Sequence, residues 1–423
     1  MTATKLRAHL TAPIDAASVA VFRRVFGVLA LIITIRFVAM GSIAEYYTTP
    51  THFFHYLGFS WVTPWPGSGM YLHFGAMAVL ALMMIANRAP RFATGTFGAL
   101  FAYAHLIDKT NYLNHYYLVI CVCFVLMLLP APALRVRSQV PRWVIYVLRT
   151  QIGLVYVFGG IAKLKYDWLF AAQPMSIWLS ANGITTTWIA FVAAWAGLVF
   201  DLSIVPLLLW RRSRPLAYAL VIAFHVITAC LFMLGMFPWI MIGCSLIFLP
   251  PDWPHRLLGR PALPRSTPVA RIHRAVPIVI AGYLVLQLAL PLRHLAYPGD
   301  VCWTEQGFRF AWHVMVMEKD GSVVLHVREP ATDRHWDVRP GEYLTRYQAH
   351  MMATQPDMIL ELAHIVADDF RARGIVDPVV TVDAFVSLNG RRRARLIDPT
   401  VDLATISDSL GTQPWVLPTP GTP

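Results

Sequence analysis

Charge and thiols are both scarce in this chain. Asp, Glu, Lys and Arg together supply only 14% of the 423 residues and there are five cysteines. A heavily solvated surface and a disulfide scaffold are therefore excluded as the main organising devices. Cys121, Cys123, Cys230 and Cys244 fall in apolar runs, where a thiol acts as a small apolar group, and Cys302 alone lies outside them. Cys-x-Cys in an apolar helix is not a zinc signature, and the histidines show no ligand spacing, so no required metal is expected. The N-terminus has no compact apolar run followed by a small-residue cleavage site, so the first apolar stretch reads as an uncleaved anchor. No internal repeat of useful strength is present.

What the chain has in quantity is apolar surface: 57% apolar residues and a mean hydropathy of +0.54. Several stretches approach the ~20 residues that cross a bilayer, so the fold class is a polytopic α-helical membrane protein. About nine transmembrane helices are expected, at 22–40, 69–87, 93–107, 115–130, 143–163, 188–210, 215–234, 237–250 and 276–294, the third and eighth short. Basic residues alternate along them. Lys5, Arg7, Arg23 and Arg24, Arg88 and Arg91, Arg135, Arg137 and Arg142, Arg211, Arg212 and Arg214, and the stretch 256–274 fall on one side; Lys109, Lys163 and Lys165 fall on the other. That pattern puts the N-terminus in the cytoplasm and the C-terminus outside. The net charge of +12 then reflects topology, and no nucleic-acid partner is expected.

After about residue 295 the composition becomes that of a small globular unit. The division expected is a transmembrane helical domain at 1–295 carrying the active site, an extracytoplasmic α+β cap domain at 296–412 and a flexible tail at 413–423 with nothing to bury. Residues 313–319 and 322–328 alternate around Asp320-Gly321 and read as a hairpin. Residues 343–373 read as helix broken at Pro356 and stopped by Gly374. Residues 379–388 and 391–397 flank Asn389-Gly390 as a second hairpin.

Four polar features interrupt the apolar pattern. Lys163 ends the apolar helix 143–161, within Gly159-Gly160-Ile161-Ala162-Lys163-Leu164-Lys165-Tyr166-Asp167-Trp168. An ammonium against apolar surface loses hydration, which favours the neutral amine, a usable base; a lysine snorkelling to the interface is the plain alternative. The run Asp108-Lys109-Thr110-Asn111-Tyr112-Leu113-Asn114-His115-Tyr116-Tyr117-Leu118 crowds more hydrogen-bonding groups into a loop than a turn requires, although an interfacial turn with an aromatic belt would also look like this. His225 lies at membrane depth, where an ionisable group usually faces a partner or a cavity. Asp201 follows the same logic and reads as a structural hydrogen-bonding or charge-partner residue.

These motifs, with Phe224-His225 followed by Leu234-Gly235-Met236-Phe237, resemble the vitamin K-dependent γ-glutamyl carboxylase family and its bacterial relatives with the horizontally transferred transmembrane domain. The resemblance extends from Ile14-Asp15 through Pro250-Pro251-Asp252-Trp253-Pro254 and Phe310-Ala311-Trp312 to Arg395-Leu396-Ile397-Asp398-Pro399. It implies a membrane enzyme that oxygenates reduced vitamin K or menaquinone hydroquinone to the epoxide and couples this to carboxylation of a glutamyl side chain, a carbon-carbon lyase with O2 and CO2 as co-substrates. Carried across by motif, Lys163 is the hydroquinone base, Asn114 and His115 act on the quinone oxygen, and His225 stands nearer the glutamate. Phe224, Met236, Phe237, Phe308 and Trp312 would suit the naphthoquinone ring, and Trp303, His294 and Arg309 the substrate side. Asp108 and Lys109 join Asp201 as structural polar residues. The implied partners are the lipid bilayer, the quinone, an exported glutamyl peptide or protein and a quinone reductase, in a bacterial inner membrane.

Three departures qualify the resemblance. The animal enzymes carry two adjacent lysines where this chain has Ala162-Lys163; an asparagine of the family pattern is Thr228 here; and the large additional C-terminal region of the animal enzymes has no counterpart after Trp415, so capture through a propeptide does not carry over. Quinol epoxidation without carboxylation, and a non-enzymatic membrane binding or transport protein on the same scaffold, are the competing expectations. A transporter would be expected to show paired broken helices.

Overall fold

The computed structural model describes residues 2–134, 138–261 and 267–421. Arg135, Arg137 and residues 262–266 of the expected basic segments, and the last two residues of the tail, lie outside it. A short helix, α1 (Ala3–Thr11), and strand β1 (Pro13–Asp15) lead into helix α2 (Ala17–Ala39). Then come α3 (Gly69–Ile85), α4 (Pro90–Leu106), α5 (Asn114–Leu128), strand β2 (Gln139–Pro141), α6 (Arg142–Ala162), and the short α7 (Tyr166–Phe170) and α8 (Met175–Ala181). Helices α9 (Thr187–Leu209), α10 (Arg214–Leu231), α11 (Phe237–Ser245), α12 (Trp253–Leu257) and α13 (Ala275–Leu292) complete the apolar part.

All nine expected segments are helical. Among the described residues, five helices are long and apolar enough to cross a membrane: α2, α6, α9, α10 and α13 with its 3-10 extension to Ala296. The others are shorter, and the eighth passes from α11 into a 3-10 turn at Leu246–Phe248. Helix α6 is the centre of the bundle, with Val144, Leu148, Ile152, Val155 and Tyr156 all buried. By contrast α9, α10 and α13 turn Val192, Val199, Leu216, Ile278 and Val285 outward, as helices do whose solvent is lipid. The starts of α2, α6 and α13 meet at one end, because β1 pairs with β2 and Gln139 bridges Val269.

The opposite end carries the C-terminal unit: α14 (Val301–Thr304), β3 (Lys319–Glu329), β4 (Arg334–Val338), α15 (Arg346–Met352), α16 (Pro356–Ala372), β5 (Val379–Leu388) and β6 (Ala394–Arg395). Its antiparallel sheet has the order β4-β3-β5-β6. Alternate residues of β3 and β5, from Val323, Leu325 and Val327 to Val380, Val382 and Ala384, enter a core with Leu362 and Val366 of α16.

Two sequence expectations are corrected here. Asp320-Gly321 is not a hairpin turn: β3 runs straight through it, with Gly321 opposite Val386. The glycine serves a close approach, since a Cβ there would lie 2.6 Å from the Ala353 carbonyl oxygen. Residues 313–318, expected as the first strand of that hairpin, have no regular structure; the carbonyls of His313 and Val314 accept from Asn114 and Lys163 of the helical bundle. The expectation of a tail with nothing to bury also fails. Trp415 is buried, Val416 bridges Ile397 and the Leu417 amide donates to the Leu396 carbonyl. The second hairpin, the helix break before Pro356 and the stop at Gly374 (φ +92°) are present.

Candidate active site

Gly159 and Gly160 explain why Lys163 is not a snorkelling lysine. A Cβ on Gly160 would lie 2.7 Å from Leu202 Cδ2 and 3.2 Å from Asp201 Cβ, so the paired glycines let α9 close onto the last turn of α6. Asp201 thereby reaches Lys163, with Nζ donating to Oδ2 at 2.8 Å, and Nζ also meets the carbonyls of Gly159 (3.1 Å) and Val314 (3.3 Å). The Trp168 ring lies 5.2 Å from Nζ. The expectation of an amine beside apolar surface alone is therefore corrected: Lys163 has a carboxylate partner, and the pair is buried.

The pair borders an apolar cavity of about 230 Å3, walled also by Tyr156, Trp168, Phe224, His225 and Phe237. His225, 2% exposed on α10, is clamped from one side: its Nε2 lies 3.0 Å from the Tyr156 hydroxyl, which lies 3.2 Å from Ser245 Oγ. Its Nδ1 is buried without a partner among the described residues. Such a nitrogen is costly in an apolar interior. Phe200 and Phe224 stack with centroids 3.8 Å apart, and Phe224 and Phe237 each meet the imidazole edge-on. Thr228, where the family pattern has asparagine, bonds the His225 carbonyl and lines the cavity.

Other expected site residues are near but off the wall. His115 packs against Tyr116 and faces Phe237 at 6.1 Å, so a phenyl ring stands between it and the cavity. Asn114 accepts from the Tyr112 hydroxyl and donates to the His313 carbonyl at 3.1 Å, next to the Val314 carbonyl that holds Lys163. Asn114 and Lys163 thus pin two adjacent residues of the C-terminal unit. Met236 is on the loop before α11, lining a separate groove.

Five proposed substrate residues have other surroundings. Trp312 packs on Tyr117, at 5.0 Å. Phe308 stacks on His313, and His294 meets the same imidazole edge-on. Burial first, and then His294, push the His313 imidazole down to about 3. Trp303 is in the core of the C-terminal unit, its indole donating to the Leu417 carbonyl at 2.8 Å. Arg309 belongs to an ion cluster: it pairs with Asp357 at 2.7 Å and with Gln355, while Lys109 pairs with Asp357 (3.1 Å) and Glu361 (3.0 Å). Burial would lower the Lys109 ammonium, yet the two carboxylates hold it above its ordinary value. Burial would raise Asp357, yet Arg309 and Lys109 hold it well below the usual carboxylate range. Asp108, raised by burial, accepts from Thr110 and from Gln348 of α15. The loop at 108–111 is thus a clasp between the helical bundle and the C-terminal unit.

Sequence reasoning missed Tyr156, Trp168, Ser245 and the Val314 carbonyl. Tyr156 had a readable sign: it is a hydroxyl in an apolar helix seven residues before Lys163, hence on the same face. The carbonyl had none.

Residues 11–253, more than half of the chain, match the HTTM domain family, and residues 272–422 match the lumenal domain of vitamin K-dependent gamma-carboxylase. No solved structure matches the chain. With the motif resemblance in register across both matched regions, the chain belongs to the vitamin K-dependent gamma-carboxylase family.

Proposed function

We propose that this chain is a quinol-dependent γ-glutamyl carboxylase, acting in the cavity beside Lys163. The observation that carries the reading is the meeting of a buried Lys163–Asp201 pair and the His225 imidazole on one apolar cavity. At about 230 Å3 it is below the ~300–1,000 Å3 usual for a drug-sized ligand. That size suits a bicyclic quinone head, with a prenyl tail left outside. The aromatic walls and the polar groups at Lys163 and His225 fit reduced vitamin K or menaquinone.

When bound, the hydroquinone would supply, with O2, the strong base that carboxylation of a glutamyl carbon by CO2 requires, and would leave as epoxide. Lys163 Nζ holds the proton-accepting position. A proton shifted along the 2.8 Å contact to Asp201 Oδ2 leaves a neutral amine that can take a hydroquinone proton. Val314 and Gly159 fix the amine, and Tyr156 fixes the His225 ring on the cavity wall. The apolar wall excludes water, which would quench the base. His115 and Asn114 act one layer back, through Phe237 and the 313–314 backbone.

The topology in this reading is nine spans, with the joined starts of α2, α6 and α13 cytoplasmic and the C-terminal unit outside, in a bacterial inner membrane. A quinone reductase would regenerate the quinol, and the acceptor would be an exported glutamyl peptide or protein. Cysteine labelling at Arg212 and His335 should give opposite accessibility; equal sidedness would refute the topology.

The reaction is tested with purified protein, reduced menaquinone or vitamin K, oxygen, labelled bicarbonate and a glutamyl peptide, with epoxide and fixed label measured separately. Both products are expected. Epoxide without label would replace the carboxylase by a quinol epoxidase, and neither product would leave a binding or transport protein.

A further inference from the structure

At the other end of α6 from Lys163, a groove of about 690 Å3 is bordered by Arg149, Gly153, Val157, Val205, Leu209 and Arg214. Arg149 lies fourteen residues before Lys163, or ~21 Å along the helix axis, so this groove is separate from the reaction cavity.

Its two guanidiniums are anchored but not neutralised. Arg149 donates through Nε to the Ile247 carbonyl at 3.0 Å and through Nη2 to the carbonyls of Phe248 and Leu249 at 3.2 and 3.0 Å. Arg214 donates through Nε to Leu208 and through Nη2 to Leu209, at 2.8 and 2.9 Å. Every acceptor is a neutral carbonyl at the end of a helix. Helix ends carry partial negative charge that favours a cation, but only about half an elementary charge each. Among the described residues neither arginine has a carboxylate partner, and Nη1 of each makes no hydrogen bond.

Two like charges on one groove in a low-dielectric setting repel, and an anion between them would remove that cost. Guanidiniums already held by their Nε and Nη2 edges are preorganised for a phosphate, losing little side-chain freedom on binding. The remaining wall is hydrocarbon: Gly153 and Val157 on α6, Val205 and Leu209 on α9. Gly153 keeps this floor low, since a Cβ there would already touch Val205 at 3.4 Å.

We propose that this groove is a binding site for an anionic glycerophospholipid, its phosphate between Arg149 and Arg214 and an acyl chain along Val157 and Val205. Free phosphate would satisfy the arginines but not the apolar wall, which is why a lipid is the occupant. The inference does not depend on the reaction proposed above. A bound lipid would bridge α6 to α9 and α10, the helices that carry Lys163, Asp201 and His225, at the end remote from them.

The test uses full-length protein purified in detergent, with bound lipid measured by native mass spectrometry and stability by thermal unfolding. The probes are phosphatidylglycerol, phosphatidylcholine and inorganic phosphate. Phosphatidylglycerol should be retained and should raise Tm, and the other two should do neither. Arg214→Gln should weaken its retention about tenfold or more, the scale of hydrogen bonds to a charged group, while Arg212→Gln, close by in the chain but outside the groove, should not. Val157→Trp, which fills the acyl part without touching either charge, should also reduce retention and covers the case that Arg214→Gln fails to fold. Unchanged retention in Arg214→Gln or Val157→Trp, equal retention of phosphatidylcholine, or equal stabilisation by phosphate alone would overturn the proposal.

Discussion

Lys109 and Lys163 are both buried lysines just beyond the ends of helices of the bundle that face the C-terminal unit, and their surroundings assign them different work. Lys109 shares two carboxylates, Asp357 and Glu361, and Asp357 is shared in turn with Arg309. Cations and anions balance within the cluster, and its members come from both parts of the molecule. Lys163 has one carboxylate and two carbonyls, on the wall of an apolar cavity also lined by Tyr156, His225 and Thr228. The Lys109 cluster ties the two parts of the molecule together. The Lys163 pair lines an apolar cavity that can hold a ligand.

A large effect on stability is expected at the clasp. Asp357→Asn would leave Lys109 with Glu361 alone and take from Arg309 its Asp357 partner, and the loss of a buried partner costs about 3–5 kcal/mol. Thermal unfolding should show it, with earlier proteolysis of the C-terminal unit. A Tm within a degree or two of the parent would reduce the clasp to an incidental contact. Asp201→Asn also removes a buried partner and should lower Tm on the same scale, and unlike Asp357→Asn it should depress quinol oxidation about 10²-fold or more, the range for a disturbed general-base step.

These two outcomes bear on what the sequence could and could not disclose. Lys163, Asp201 and His225 were legible because an ionisable group at membrane depth is expensive enough to need a reason, and Phe224 and Phe237 followed from the family resemblance. The loop at 108–118 was equally conspicuous, yet its first half is an interdomain clasp whose partners are some 240–250 residues away. Spacing carries no information about such contacts. Nine helical segments followed from hydropathy, whereas the strand through Asp320-Gly321 did not. A turn dipeptide and a glycine needed for close approach to Ala353 look the same until the neighbour is known.

A smaller effect is expected from Tyr156→Phe. It removes one hydrogen bond to His225 while keeping the ring, worth ~0.5–1.5 kcal/mol, or about two- to tenfold. Because the change acts through His225 orientation, kcat should fall more than KM, and the substitution should leave Tm nearly unchanged; a pure KM effect would argue against a positioning role. Gly160→Ala should act similarly by crowding Asp201 away from Lys163, with activity falling before stability.

The smallest effects should come from pH. Asp357 is held below the usual carboxylate range, so its contribution is complete above the unfolded value of about 4 and is lost as pH falls through the depressed native value. Lys109 is held above its ordinary value, so its contribution is complete below about 10.4 and is lost as pH rises through the raised native value. Tm should be flat from about pH 5 to 9 as far as the clasp is concerned, and the acid fall should shrink in Asp357→Asn. An acid fall of the same size in the variant would place its origin elsewhere.

The most direct test is a side-by-side measurement of quinol turnover and Tm for Lys163→Ala and Lys109→Ala, with Lys165→Ala as the neighbouring control. Lys163→Ala should lose turnover by about 10²–10⁴-fold with a folded protein, Lys109→Ala should lose stability first, and Lys165→Ala should cost much less activity than Lys163→Ala. Near-normal turnover in Lys163→Ala would contradict the assignment of the cavity as the active site.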